Sequence, residues 1–270
     1  MQNVTFLKLG GSLITDKTDI EVLRDTVLKR VAAEINRALQ KRPEMRLLLG
    51  HGSGSFGHVA GAKYGTRLGV HTDRQWRGFT EVSAAASRLN ILVVEALLQA
   101  GVPAISLQPS ASAVCTNGQI QTLAVQQIIM ALESGLVPVV FGDVAFDTVI
   151  GGTIISTEEI MMFLANELRP GWLLLAGETV GVLDENQDLI PLITEDSFDL
   201  ISGALGGSRG TDVTGGMFAK VRAMLDLAAV QPQLRIGIFS GLEKNRTKQS
   251  LLAPNELVGT VIQSAASPDP

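Results

Sequence analysis

Apolar positions along this chain follow two alternating rhythms. Short apolar runs at Val4–Leu9, Leu47–Leu49, Ala104–Leu107, Val137–Phe141, Trp172–Ala176 and Arg235–Phe239 have the length and composition of buried strands. Between them lie stretches with helical spacing. Leu23, Val27, Val31, Ile35 and Leu39 recur at four-residue intervals within Val22–Leu39, which predicts one apolar helix face. Further helices are predicted over Gly78–Gln99, closed by Gly101 with Pro103 beyond, and over Leu123–Glu133, Ile160–Leu168 and Met217–Val230. Buried strands separated by amphipathic helices predict an α/β fold with a mostly parallel sheet covered on both faces. Asn117-Gly118 marks a hairpin. No repeat, low-complexity region or linker is evident, and only Ser264–Pro270 reads as a frayed tail.

Composition narrows the function classes. The 270 residues carry 22 Lys+Arg against 27 Asp+Glu, a net charge of −5, which disfavours a general nucleic-acid binder because phosphate contacts need clustered cations. One cysteine, Cys115, excludes an internal disulfide and a cysteine zinc cage, and fits a reducing, cytoplasmic setting. Three histidines make a His-rich metal site improbable, and no metal ligands are assigned. The stretch Leu97–Leu132 holds no charged residue, but Pro103, Pro109 and Asn117-Gly118 interrupt it, so it reads as buried core and not as a membrane span. The N-terminus lacks the basic region of a signal peptide.

Candidate chemistry gathers where glycines follow strands. Leu47-Leu-Leu-Gly-His-Gly-Ser-Gly-Ser-Phe-Gly-His58 puts a glycine-rich turn between a strand and a helix, where backbone N–H groups and the positive helix end favour an anion. Gly52, Gly54 and Gly57 also satisfy the dinucleotide pattern G-x-G-x-x-G, although it follows the second strand and not the first. A tight turn without a ligand accounts for the same glycines. The first strand ends Lys8-Leu-Gly-Gly-Ser12, with Lys17 five residues on; in a parallel sheet both turns would meet at the carboxyl edge. Asp212-Val-Thr-Gly-Gly-Met-Phe-Ala-Lys220 is a third glycine turn opening a helix, with Thr214 placed to cap it. Ser156-Thr-Glu-Glu159 is a capping box that accounts for Glu159 and leaves Glu158 unexplained. His51 reads as packed in its turn; His58, closing the glycine run, is placed to donate to a phosphate.

Together, Lys8-Leu-Gly-Gly-Ser12 with Lys17, His51-Gly-Ser-Gly-Ser-Phe-Gly-His58, Gly142-Asp143, and Asp212-Val-Thr-Gly-Gly-Met217 with Lys220 resemble the amino acid kinase superfamily over roughly Val4 to Ile262. His58 points to the isopentenyl phosphate kinase branch. The resemblance implies an open αβα sandwich, a lobe of residues 1–170 binding the phosphorylated acceptor, a lobe of residues 171–270 binding ATP, and a homodimer. It implies an ATP- and Mg²⁺-dependent kinase that converts isopentenyl phosphate to isopentenyl diphosphate for isoprenoid synthesis. Lys8 and Lys220 would hold the ATP phosphates, Lys17 would neutralise the transferring phosphoryl group, and Gly10, Gly11, Gly54, Glu178 and Gly215 would line the nucleotide site. Ser53, Gly57, His58 and Thr157 would bind the acceptor, with Glu158 supporting the lysines.

Two departures stand out. The superfamily's Ser-Gly-Asp-Asp is here Ser156-Thr-Glu-Glu159, and its aspartates before Gly-Val are replaced within Gly177-Glu-Thr-Val-Gly-Val182. The rival readings are a kinase of another small phosphate or phosphonate, as fosfomycin-resistance kinases are, a dinucleotide-dependent oxidoreductase, and a catalytically silent ligand-binding member of the fold. The oxidoreductase lacks a ribose-binding acid at the right spacing. Retention of Lys8, Lys17 and Lys220 argues against the silent member.

Overall fold

A computed structural model describes residues 4–16, 19–198 and 216–265; the side chains of residues 58–60, 62 and 217 fall outside that description. The chain begins with β1 (Val4–Leu9), α1 (Gly11–Ile14), the short pair β2 (Thr15–Asp16) and β3 (Val22–Leu23), α2 (Asp25–Lys41), β4 (Arg46–His51) and α3 (Gly54–Tyr64). There follow α4 (Asp73–Gln99), β5 (Ala104–Ser106), β6 (Val114–Thr116), β7 (Gln119–Thr122), α5 (Val125–Glu133) and β8 (Val137–Phe141). Then come β9 (Asp143–Asp147), β10 (Gly151–Ile155), α6 (Thr157–Leu168), β11 (Trp172–Gly177) and β12 (Leu192–Ile193). The described residues close with α7 (Gly216–Val230), β13 (Arg235–Ser240), α8 (Arg246–Leu252) and β14 (Thr260–Ile262).

Eight strands form the central sheet in the order β12-β14-β13-β11-β1-β4-β8-β5, parallel except where β14 runs against β13. Helices cover both faces, so the expected αβα sandwich is what the chain adopts. Period-two alternation sorts the side chains between the layers. Leu7, Leu9, Leu47, Leu49 and Val139 face α2 and α4, packing with Val31, Ile35, Leu89 and Val93. Phe6, Leu48 and Val140 face the other way and pack with Ile160, Met161 and Leu164 of α6 and with Val221 and Leu225 of α7. The sheet runs unbroken through residues 1–170 and 171–270, because β1 pairs with β4 on one side and β11 on the other.

Element boundaries shift for local reasons. Helix α2 starts at Asp25 and not at Val22, because Val22 and Leu23 pair with Asp16 and Thr15. Helix α4 starts earlier than the apolar pattern indicates, at Asp73, fixed by a capping box between Thr72 and Gln75. Gly78 lies inside that helix because a Cβ there would stand 2.2 Å from Cγ of Tyr64. The Asn117-Gly118 hairpin joins β6 to β7, with φ of 50° and 80°. Its strands belong to a second, four-stranded sheet, β10-β9-β6-β7, which the apolar runs do not predict. Among the described residues no helix is long and apolar enough to cross a membrane.

Candidate active site

Strands β1, β4, β8 and β11 run parallel, so the turns that follow them meet at one edge of the sheet. There the turns after β1 and β4 pack main chain on main chain. Gly52 N donates to Leu9 O at 2.9 Å and Gly10 N to Ala176 O at 2.8 Å. A Cβ on Gly11 would stand 2.4 Å from Gly54 N, and one on Gly52 would stand 2.8 Å from Gly11 N. Gly54 also has φ of +48°, and a Cβ there would meet Thr15 Oγ1 at 2.0 Å. These three glycines are therefore required by the approach of the two turns to each other. Gly57 is required differently: Ser53, just before the first turn of α3, fills the place its Cβ would take.

Alternation along β1 places Lys8 on the α6 face with Phe6, and its Nζ donates to Glu158 Oε1 at 2.6 Å. Glu158 stands in the first turn of α6, whose start is set by the capping box of Ser156 and Glu159. Burial pushes the Glu158 carboxyl up, but the Lys8 charge and hydrogen bond, its own backbone N–H and the charge of Lys220 outweigh that effect and hold it below the ordinary carboxylate value. The charges of Lys8 and Lys220, drawn from two distant parts of the sequence, thus both act on Glu158. Gly50 makes room for this arrangement: it pairs with Lys8 across the sheet, and a Cβ there would meet Met161 and Thr157 at 2.7 and 2.8 Å.

Thr157 is buried, and its hydroxyl donates to His51 O at 2.6 Å, tying the start of α6 to the end of β4. His51 is buried on the opposite face, stacked on Phe141, with Nε2 3.2 Å from Asn90 Oδ1 and Nδ1 3.2 Å from Gly52 O. Glu159, besides capping α6, pairs with Arg67 through Oε2 at 2.9 Å and a second, shorter contact. Glu178, after β11, forms an ion pair with Arg24 at 2.6 Å. Cys115 is buried, and burial, with the nearby Asp147 charge, raises its thiol to about 11, so it is a poor nucleophile at neutral pH.

The structure therefore brings together Lys8, Gly10, Gly11, Ser53, Gly54, Gly57, Thr157, Glu158, Glu178 and Lys220 along the carboxyl edge. The His58 backbone lies in α3, close behind the glycine turn, while its side chain is outside the description. Lys17 and Gly215 lie outside the described residues. Sequence reasoning missed Arg24, Arg67 and Asn90, whose partners are all remote in the chain.

Such an edge suits a polyanion: two lysines, glycine turns and a helix N-terminus lie side by side. Among the described residues no group of three His, Cys, Asp or Glu is arranged to hold a metal ion.

The fold and the site define a phosphotransferase class, and the chain belongs to the amino acid kinase family, whose model matches residues 3–237. It is 34% identical over 269 residues to the isopentenyl phosphate kinase of Methanocaldococcus jannaschii, covering 96% of this chain and 98% of that protein. It is 38% identical over 230 residues to the isopentenyl phosphate kinase of Haloferax volcanii, covering 84% and 89%. A crystal structure described as that of isopentenyl phosphate kinase superposes with a TM-score of 0.80 at 30% identity, covering 96% of this chain and all of that one.

Proposed function

We propose that this kinase transfers the γ-phosphoryl group of ATP to isopentenyl phosphate, giving isopentenyl diphosphate and ADP. The observation that carries the reading is similarity to isopentenyl phosphate kinases over nearly the whole chain, with the Lys8–Glu158–Lys220 cluster at the sheet edge beside the glycine turns. A phosphate oxygen of the acceptor attacks the γ-phosphorus, the new O–P bond forms, and the bond to the β-phosphate oxygen breaks to release ADP. The attacking oxygen is already largely deprotonated at neutral pH, so no strong base is required. Positioning and charge neutralisation are the main demands, and lysines serve both.

In this reading Lys8 and Lys220 grip the ATP phosphates, with Glu158 holding Lys8 in place. Lys17 neutralises the transferring group. Ser53, Gly57 and His58 receive the acceptor's phosphate at the start of α3, and Thr157 shapes that end of the site through its bond to His51 O. Residues 1–170 then serve the acceptor and residues 171–270 the nucleotide. Mg²⁺ carried by the nucleotide would spread the charge of its phosphates, and Glu158, which Lys8 engages, is not assigned to hold it. The enzyme works as a homodimer in the cytoplasm, a setting that fits its single, buried cysteine.

A coupled ADP-release assay over a panel of phosphomonoesters and phosphonates tests the substrate. Isopentenyl phosphate should give the highest kcat/KM, with magnesium required. His58→Ala should lower it roughly 10- to 150-fold through the acceptor, leaving the KM for ATP little changed. Faster turnover of another phosphate would overturn the acceptor and leave the kinase standing.

A further inference from the structure

We propose that Arg24 and Glu178 form a latch that positions the β2–β3 hairpin against the turn after β11 and so sets the affinity for nucleotide; the role rests on the kinase reading above. Both partners are anchored by neighbouring bonds. Arg24 N donates to Ile14 O at 2.8 Å, and Glu178 O accepts from Ser240 Oγ at 3.1 Å. The ion pair between their side chains, 2.6 Å long, spans the seam already crossed by Gly10 N and Ala176 O. It joins the β1 side of that seam to the turn carrying the departure from the superfamily's aspartates.

The hairpin needs outside support. Two rungs, Thr15 with Leu23 and Asp16 with Val22, are too few to be stable alone. Thr15 Oγ1 ties it to Gly11 O and Ser55 N, and Glu21 pairs with Arg88 of α4. Set beside the Thr15 bonds and the Glu21–Arg88 pair, the Arg24–Glu178 pair ties the hairpin to the turn after β11. β2 ends at Asp16, so the latch acts on the strand that directly precedes Lys17 in the sequence. Arg24 and Glu178 are thus positioning residues. With side chains 29% and 34% exposed, the pair is open enough to respond to salt.

Signs of paired substitutions separate this role from two others. MgATP binding is measured by calorimetry without acceptor, together with amide exchange over residues 19–23, in Arg24→Ala, Glu178→Ala, the double variant and Arg24→Lys. The latch requires both single variants to weaken ATP binding by about two- to fivefold and to speed hairpin exchange, with the double variant no worse than either. Arg24→Lys should recover part of the loss, and raising salt from about 50 mM to about 0.5 M should narrow the differences. Exchange in β1 and β4 should stay slow, which reports an intact fold. If Glu178→Ala tightens ATP binding while Arg24→Ala weakens it, Arg24 is a phosphate ligand restrained by Glu178 and the latch is wrong. If Glu178→Ala alone has an effect, Glu178 touches the nucleotide directly and the latch is equally wrong. A wild-type enzyme that binds ATP but ignores isopentenyl phosphate removes the acceptor reading; the calorimetry still decides the latch.

Discussion

His51 is buried with an oxygen facing each ring nitrogen, Gly52 O at Nδ1 and Asn90 Oδ1 at Nε2. A neutral imidazole has one N–H, so it can donate to Gly52 O while Nε2 accepts from Asn90 once that amide is turned over. Asn90 then accepts from Ser106, whose hydroxyl takes either role. Burial lowers the ring's pKa to about 4 from 6.5, against the opposing pull of the Gly52 and Asn90 hydrogen bonds, with the Lys8 charge a smaller lowering effect. The sign follows from proton uptake: between those values the unfolded chain binds a proton that the folded chain refuses. His51's contribution is present above pH 6.5 and is lost as pH falls toward 4, by roughly 3 kcal/mol in all. Urea unfolding between about pH 7.5 and 4 should show this loss, and His51→Gln should flatten the profile. An unchanged slope in that variant would place the titration elsewhere. The packed role of His51 was legible from its place just after the apolar run Leu47–Leu49, although it closes β4 and does not sit in the turn. Its partner Asn90 was not, since nothing in a helical run shows which polar residue turns inward.

At the scale of elements, α2 shows what periodicity predicts and what it misses. The four-residue spacing placed Val31 and Ile35 on the buried face, with Val27 and Leu39 half-buried at its edges, but Leu23 belongs to β3 and the buried Leu28 fell outside the spacing. Glu34 is fully buried as well, which an acid next to an apolar stripe does not suggest. It is sheltered by bonds: Arg30 donates to its Oε1 at 2.8 Å, Asn245 N to the same oxygen at 2.8 Å, and Lys248 N to Oε2 at 3.4 Å. Asn245 precedes α8 with φ of 64° and its side chain makes no capping bond, so Glu34 does the capping from another helix. Arg30 also donates to Gly241 O, holding the turn after β13. Glu34→Ala should therefore cost about 2–4 kcal/mol in urea unfolding, less than a fully isolated charge because Arg30 keeps its carbonyl partners. Glu34→Gln retains an acceptor and should lose about half as much. Losses below about 1 kcal/mol for alanine would show that water replaces the carboxylate as a cap. Capping boxes at Ser156 and Thr72 act within a few residues, so the first was legible from its letters. The Glu34 cap spans most of the chain and has no local sign.

Across the whole molecule, turns after strands far apart in sequence are brought to one edge by a parallel sheet in which β1 is central. That much was legible, because buried strands alternating with helices leave few topologies and put their glycine turns together. Glycine itself was the ambiguous part, since a ligand cradle and a tight turn both ask for it. The geometry shows a third demand: the turns after β1 and β4 lie too close for any side chain between them. This makes the seam a structural unit whose disturbance should reach both halves of the site. Gly54→Ala adds a methyl that meets Thr15 Oγ1 and Gly11 O, at a φ that alanine resists. It should destabilise the fold by about 2–5 kcal/mol, the sum of overpacking and backbone strain, and raise the KM for ATP and for the acceptor together. Gly65→Ala is the control. Its φ is also positive, +62°, but nothing lies within 4 Å of the added carbon. It should cost about 1–2 kcal/mol and leave kcat/KM unchanged. Should Gly54→Ala match Gly65→Ala in both stability and kinetics, the turns are not locked together. Should it raise one KM and spare the other, the two turns serve their ligands separately and the seam is only a point of contact.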